Sequence, residues 1–134
     1  MVGCLVISHG KIADAVVEAS RRIAGECEQL FTMDCEDLAP KEIYEQIAHL
    51  IESKNLKDGL FVLVALKGGS FWHAAARIAH ECDRVEVISG FNLSTVLSFI
   101  TKRNQYTFEQ LAEVLVTDAV RGISRFKKSK PGAT

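Results

Sequence analysis

The sequence predicts an α/β fold, with helices on both faces of a doubly wound, open, parallel β-sheet. Short apolar runs rich in Val, Ile and Leu recur along the chain, and such runs are typical of strands buried on both faces. Segments with apolar residues at helical spacing separate these runs, and this alternation is typical of a parallel sheet. At 134 residues, the chain is predicted to form one domain over residues 1–127, followed by a disordered, lysine-rich tail over residues 128–134.

The first half of the chain predicts two strand–helix units. The first unit has a strand over residues 2–7 and a helix over residues 11–24. The second has a strand over residues 28–34 and a helix over residues 40–53, which begins at Pro40 because a missing N–H is harmless at the first helical position. Apolar spacing predicts that the inner face of the first helix consists of Ile12, Ala15, Val16, Ala19 and Ile23.

The second half begins with the most continuous apolar run, over residues 60–66, which predicts a central strand. A helix follows from residue 71, with Ser70 as its N-cap, and a fourth strand covers residues 84–88. Asn92 caps the fourth helix. The predicted inner face of that helix consists of Leu93, Val96, Leu97 and Ile100.

The last predicted elements are a fifth helix and a short strand. Thr107 and Gln110 form a capping-box pattern that opens the helix, and Gly122 is suited to end it. Residues 123–126 alternate apolar and polar side chains, and this period of two predicts a short final strand.

The composition excludes several classes of function. A net charge of −1 leaves no basic footprint for nucleic acid. No apolar run approaches the roughly 20 residues that a membrane span needs, and the N-terminus lacks the features of a secretory signal. The four cysteines form no C-x-x-C pair, so no metal site is predicted, and we interpret them as buried, reduced thiols of a cytoplasmic protein.

Two loops at the carboxyl edge of the sheet carry the candidate site. A strand order of 2-1-3-4 puts the switch point between the first and third strands, where open α/β sheets bind ligands. The loop of Ser8, His9 and Gly10 would then face the loop that runs from Lys67 to Ser70. His9 is the candidate nucleophile, because the imidazole is exposed on a rigid support. A histidine there can equally hydrogen-bond a loop carbonyl or stay solvated.

The second loop predicts a phosphate site. Gly68 and Gly69 leave backbone N–H groups open to a ligand, and Ser70 and Phe71 lie at a helix N-terminus, where the dipole favours anions. A nucleophilic His9 facing such a site predicts phosphoryl transfer through a phosphohistidine. The same Gly-Gly-Ser segment is also typical of an ordinary strand-to-helix turn. The predicted helix donors are the amides of Phe71, Trp72 and His73, and the further pocket candidates are Ser8, Gly10, Lys67 and His73.

Three motifs in register carry a family resemblance. They are Ser8-His9-Gly10 after the first strand, Gly68-Gly69-Ser70 followed by residues 74–78 after the third, and residues 87–93 at the fourth. Over residues 2–126 the chain resembles the mannose-family IIA component of the bacterial sugar phosphotransferase system. That resemblance implies a cytoplasmic homodimer with the strand order 2-1-3-4 and no metal or organic cofactor.

The resemblance also implies partners and roles. His9 would receive a phosphoryl group from the phosphocarrier protein HPr and pass it to a IIB domain or subunit. The protein would associate with a membrane transport complex without entering the membrane itself. Residues 123–126 would form a strand exchanged between the two subunits.

Two positions depart from the family pattern. Phe71 stands where the family has a proline, and Ala65 stands where it has the aspartate that partners the active histidine. Ala65 favours an alternative, a regulatory or interaction module of the same fold with weak or no phosphotransfer. A small-molecule-binding domain that uses the same crevice is a third interpretation.

Overall fold

A four-stranded parallel sheet in the order β2-β1-β3-β4 forms the centre of the protein, in a computed structural model that describes residues 1–129. The strands are β1 (Gly3–Ile7), β2 (Leu30–Thr32), β3 (Leu60–Val64) and β4 (Val85–Ser89). The helices of the described residues are α1 (Ile12–Ala24), α2 (Pro40–Ser53), α3 (Ser70–Glu81), α4 (Leu93–Lys102) and α5 (Phe108–Arg121). The predicted fold class and strand order are therefore confirmed.

The sheet separates two apolar layers. On one face, Cys4 and Val6 of β1 pack with side chains of β3, α1, α4 and α5. On the other face, Leu5 and Ile7 pack with side chains of β3, α2 and α3. Every residue of β1 and β3 is buried, as central strands covered on both faces require. The loops that follow β1 and β3 therefore begin at the same edge of the sheet, each from a fully buried strand.

The inner face of α1 was predicted only in part: Val16 packs against the core as predicted, but the other inward positions differ. Ala13, Val17 and Ser20 are buried, whereas Ile12 and Ile23 are 55% and 64% exposed. Small side chains on the inner face allow close packing of α1 against the sheet and α4. The Ser20 hydroxyl donates to a carbonyl of the preceding turn at 2.8 Å, so its burial leaves no polar group without a partner.

The inner face of α4 was predicted only in part. Val96 is buried as predicted, but Phe99 faces the core, while Leu93 is exposed and Ile100 half-buried. The Phe99 ring packs edge-on against Phe61, with the two ring centroids 6.3 Å apart. Phe99 is fully buried, so α4 turns this aromatic side chain to the core instead of Leu93.

The predicted helix caps are confirmed at α4 and α5. The Asn92 side chain accepts the Thr95 N–H at 3.0 Å, and the Thr107 hydroxyl accepts the Gln110 N–H at 3.2 Å. Pro40 occupies the first position of α2 as predicted. Each side-chain cap satisfies an amide that precedes the first intrahelical hydrogen bond.

The C-terminal segment of the described chain extends from α5 without regular structure. Residues 123–126, predicted as a strand, form none within this single chain, and Ile123 and Phe126 are 75% and 90% exposed. Strand exchange with a second subunit stays a prediction. Residues 130–134, most of the predicted tail, lie outside the described residues.

Candidate functional site

His9 lies in the loop that follows β1, at the carboxyl edge of the sheet. Its side chain is 65% exposed. The next residue, Gly10, has a φ of 62°, a left-handed conformation that glycine adopts without strain. The residue before His9, Ser8, is buried, and its hydroxyl accepts the N–H of Ala13 at 2.8 Å. Ser8 therefore anchors the His9 loop to α1.

Phe71 is the platform on which the His9 ring lies. The imidazole and phenyl rings stack with their centroids 4.4 Å apart and their planes 25° apart. Phe71 belongs to the first turn of α3 and is buried in the α2–α3 layer, so its ring is held in place by the core. Such a stack contributes about 0.5–1.5 kcal/mol beyond the surface it buries. Phe71 thus fixes the plane of the imidazole, a role that the sequence did not suggest.

A carboxylate that the sequence analysis missed lies beside His9. Glu36 Oε1 is 3.5 Å from His9 Nδ1, and it accepts the backbone N–H of Gly10 at 2.7 Å. Glu36 lies in the loop after β2, and β2 pairs with β1 in the sheet. The carboxyl ends of adjacent parallel strands meet at one edge. The acidic segment 34–37, at the end of the second predicted strand, was therefore the signal that could have revealed Glu36.

The loop that carries Glu36 is held by its own hydrogen bonds. The Asp34 carboxylate accepts the Glu36 N–H at 3.1 Å, and the Leu38 N–H donates to the Cys35 carbonyl at 3.2 Å. The Cys35 side chain is buried, and Asp37 has a φ of 63°, a conformation that aspartate tolerates better than most residues. The exposed Glu36 side chain therefore projects from a well-defined turn.

The predicted phosphate site lies at the start of α3, but its donors differ from the prediction. The N-cap is Gly69 rather than Ser70, because Gly69 has extended backbone angles and the chain is already helical at Ser70. The His73 N–H donates to the Gly69 carbonyl at 3.0 Å, so it is already used. The amides that precede the first intrahelical bond are those of Ser70, Phe71 and Trp72.

The glycines before α3 are open to an approaching group. A Cβ added at Gly68 or Gly69 would meet nothing within 4 Å. Lys67 is exposed next to them. His73 is also exposed, and its ring packs edge-on against Trp72 with the centroids 5.1 Å apart.

A very small cavity separates His9 from the end of β3. Its volume is about 10 Å³, close to the minimum that one water molecule needs. It is lined by Ser8, His9, Val64, Ala65, Leu66, Gly69 and Phe71. The fold thus brings His9, Gly69 and Phe71 together, whereas Lys67 and His73 lie outside this cavity. Ala65, the first residue after β3, lines this cavity together with His9, and its side chain has no carboxylate.

The cysteines of the protein are buried or half-buried thiols without disulfides. Burial raises the pKa of Cys35 to about 11, and it also raises the pKa values of Cys4 and Cys27. These three thiols therefore stay protonated, and poorly nucleophilic, at neutral pH. Over residues 1–129, no group of three or more His, Cys, Asp or Glu side chains is arranged to hold a metal ion.

The helices of the described chain are 10 to 14 residues long. Among residues 1–129, none is both long enough and apolar enough to cross a bilayer.

One family of phosphotransferase system (PTS) components and two of its curated relatives are similar to this chain. The EIIA-man family, described as "PTS system fructose IIA component", matches residues 3–116. The PTS mannose-specific EIIAB component of Escherichia coli (strain K12) is 25% identical over 97% of this chain. This chain spans 41% of that relative's length. The PTS sorbose-specific EIIA component of Klebsiella pneumoniae is 26% identical, over 86% of this chain and 84% of its own.

The fold is shared with a solved structure. The crystal structure of the phosphotransferase system component EIIA from Streptococcus agalactiae superposes with a TM-score of 0.81. The superposition covers 93% of this chain and 97% of that one, at 20% sequence identity. At that identity the likeness concerns the fold.

Proposed function

Because the chain belongs to the EIIA-man family of phosphotransferase system (PTS) IIA components, we propose that it is a phosphoryl carrier. In this proposal His9 accepts the phosphoryl group from HPr and delivers it to a IIB domain or subunit. The single observation that carries the proposal is the exposed imidazole at the carboxyl edge of the sheet, stacked on the first turn of α3. A carrier must present its acceptor atom to two partners in turn, and a position exposed to this extent meets that need.

The transfer is a displacement at phosphorus. The lone pair of His9 Nε2 attacks, a P–N bond forms on His9, and the bond from phosphorus to its donor atom on HPr breaks with the electron pair leaving on HPr. The moving group carries negative charge. The free amides of Ser70, Phe71 and Trp72, with the positive end of the α3 dipole, stabilise that charge. Gly68 and Gly69 leave the space it needs.

The proposal includes a two-fold homodimer in the cytoplasm, associated with a membrane transport complex through its IIB partner. Ile123 and Phe126 are exposed apolar residues, and β4 is an edge strand of the sheet. A groove of about 290 Å³ between the end of β4 and α5 is lined largely by apolar residues. Pairing of residues 123–126 with the β4 edge of a second copy would cover both the segment and the edge.

Ala65 supports a second candidate function, a regulatory or interaction module of the same fold. In that case the docking surfaces for PTS partners are kept, but His9 carries little or no phosphate because β3 supplies no carboxylate to it. The two candidates differ in one measurable quantity, the phosphate on His9.

The test is incubation with phosphoenolpyruvate, enzyme I and HPr, followed by intact-mass measurement. We expect the mass of one phosphoryl group to be added, and to be lost again when a cognate IIB domain is supplied. Omission of HPr should prevent the addition.

Histidine variants provide the controls for that test. His9→Ala should abolish labelling and leave thermal stability nearly unchanged, because an exposed loop residue contributes little packing. His73→Ala, at another exposed histidine, should leave labelling intact. An unlabelled protein that still binds HPr would support the regulatory candidate, and labelling that persists in His9→Ala would move the acceptor to another histidine.

A further inference from the structure

The Phe71 platform leaves one freedom of the His9 ring unconstrained. Stacking holds the plane of the imidazole, but a half-turn about the Cβ–Cγ bond keeps that plane and exchanges Nδ1 with Cδ2 and Nε2 with Cε1. Stacking on Phe71 also does not determine which of the two ring nitrogens of neutral His9 carries the proton. An acceptor histidine needs both choices made, because the attacking nitrogen must be unprotonated and must face the donor.

Glu36 supplies the directional contact that the platform lacks. Its Oε1 lies 3.5 Å from His9 Nδ1, and the Gly10 N–H fixes that same oxygen at 2.7 Å. A carboxylate has about four acceptor positions, so the bond from Gly10 does not exclude a second from Nδ1–H. In this orientation Nε2 is the nitrogen left for attack.

We propose that Glu36 is the positioning residue of His9, supplying from the loop after β2 the carboxylate that β3 lacks at Ala65. This inference rests on the proposed carrier function. Glu36 holds the proton on Nδ1, which leaves the Nε2 lone pair free. It also faces the positive charge that develops on the ring as the Nε2–P bond forms, and the 3.5 Å separation shortens to a hydrogen bond at that stage.

The test compares initial labelling rates by phosphorylated HPr for two matched variants. Glu36→Gln keeps the shape and the bond from Gly10 but removes the charge, and we expect labelling to slow by roughly 10- to 100-fold. Asp37→Asn removes one negative charge at the adjacent exposed residue and preserves a side chain that tolerates the left-handed φ of 63°. Its rate should stay close to that of the unmutated protein, which excludes a general effect of surface charge on HPr docking.

A second readout does not depend on phosphotransfer. Nitrogen NMR of the neutral His9 ring should show the proton mainly on Nδ1 in the unmutated protein. Glu36→Ala should move it toward Nε2, the site that free histidine prefers, while circular dichroism confirms an unchanged fold.

The outcomes separate this inference from the carrier function. Equal labelling rates for Glu36→Gln and the unmutated protein would overturn the role of Glu36, as would an unchanged proton position in Glu36→Ala. Absence of labelling in the unmutated protein would overturn the carrier function instead, and the NMR result would then decide alone whether Glu36 sets the state of His9.

Discussion

At the scale of single residues, the reactivity proposed for His9 depends on neighbours from two loops and from the first turn of α3. Gly10 turns the chain beneath the imidazole, Phe71 stacks on it from α3, and Glu36 faces Nδ1 from the loop after β2. His9 and the glycine loop could be predicted from the sequence because each follows a strong strand signal. Glu36 could not be predicted as easily, since its contact with a residue 27 positions away depends on strand order and on the left-handed turn at Asp37.

Ala65→Asp tests whether Glu36 already provides the carboxylate that the family has at position 65. From the sequence alone, an aspartate at this position would be expected to speed labelling, because it would restore the family's partner for the histidine. With Glu36 beside Nδ1, we expect the single substitution to change the rate little. In a Glu36→Gln background, however, it should recover part of the lost rate. Initial labelling rates of the four proteins at matched concentration provide the measurement, and a large gain from Ala65→Asp alone would contradict this expectation.

At the scale of secondary-structure elements, sequence patterns predicted what is local and failed at what depends on packing. β3 and α2 have strong local signals, a continuous apolar run and Pro40, and α2 has the predicted bounds. The predicted face of α1 wrongly included Ile12 and Ile23, because these residues are more apolar than Ala13 and Ser20, which are buried instead. The close packing of the helix selects small residues, and hydrophobicity alone does not reveal that requirement.

Gly59, just before β3, is the position where a single methyl group should be most costly. Its φ is 135°, and an added Cβ would lie 2.5 Å from the Phe108 ring, which is itself stacked on Phe61. Gly59→Ala should lower the free energy of unfolding by roughly 2–4 kcal/mol. Gly25→Ala is the control, because Gly25 has a φ of 90° and an added Cβ would meet nothing within 4 Å. It should lower the free energy of unfolding only through backbone strain, by about 1 kcal/mol. Urea denaturation measures the free energy of unfolding of both variants. Equal decreases would show that the Phe108 ring moves aside to accept the added methyl group.

Asp118 links α5 to α4 and predicts an acid-sensitive part of the stability. Its Oδ2 accepts a hydrogen bond from the Lys102 ammonium at 2.6 Å and another from the Ser98 hydroxyl at 2.5 Å. Both bonds lower the pKa of Asp118, and the bond from Lys102 has the larger effect. A lowered folded-state pKa means that the stabilisation is complete above the unfolded-state pKa of about 3.9 and is lost as the pH falls through the folded-state value.

Asp118→Asn should therefore cost roughly 1 kcal/mol at neutral pH and nothing once the carboxyl is protonated. The measurement is the free energy of unfolding in urea at neutral pH and at low pH. Asp83→Asn, at an exposed aspartate, is the control for net charge. An equal loss at both pH values would show that the effect is steric.

At the scale of the whole molecule, the open β4 edge and the exposed end of the chain predict a dimer. Light scattering at micromolar concentration should give twice the monomer mass. Ile123→Ser combined with Phe126→Ser should give a monomer, because both apolar side chains would lose their place in the interface. Ile23→Ser, at an exposed isoleucine on α1, should leave the dimer intact. A monomeric unmutated protein would contradict the prediction.

The location of Glu36 should make the labelling of His9 sensitive to temperature, because Glu36 follows β2, the shortest strand of the sheet. β2 has three residues and lies at an edge of the sheet, whereas Phe71 rests on the inner layer. Short edge strands open at lower free energy than the whole domain unfolds, so on warming the carboxylate should leave the imidazole while the rest of the fold persists. Amide hydrogens of residues 30–39 should then exchange faster than those of β3. Labelling should lose its normal increase with temperature below the midpoint of global unfolding, so that the β2 edge limits the working range of the carrier.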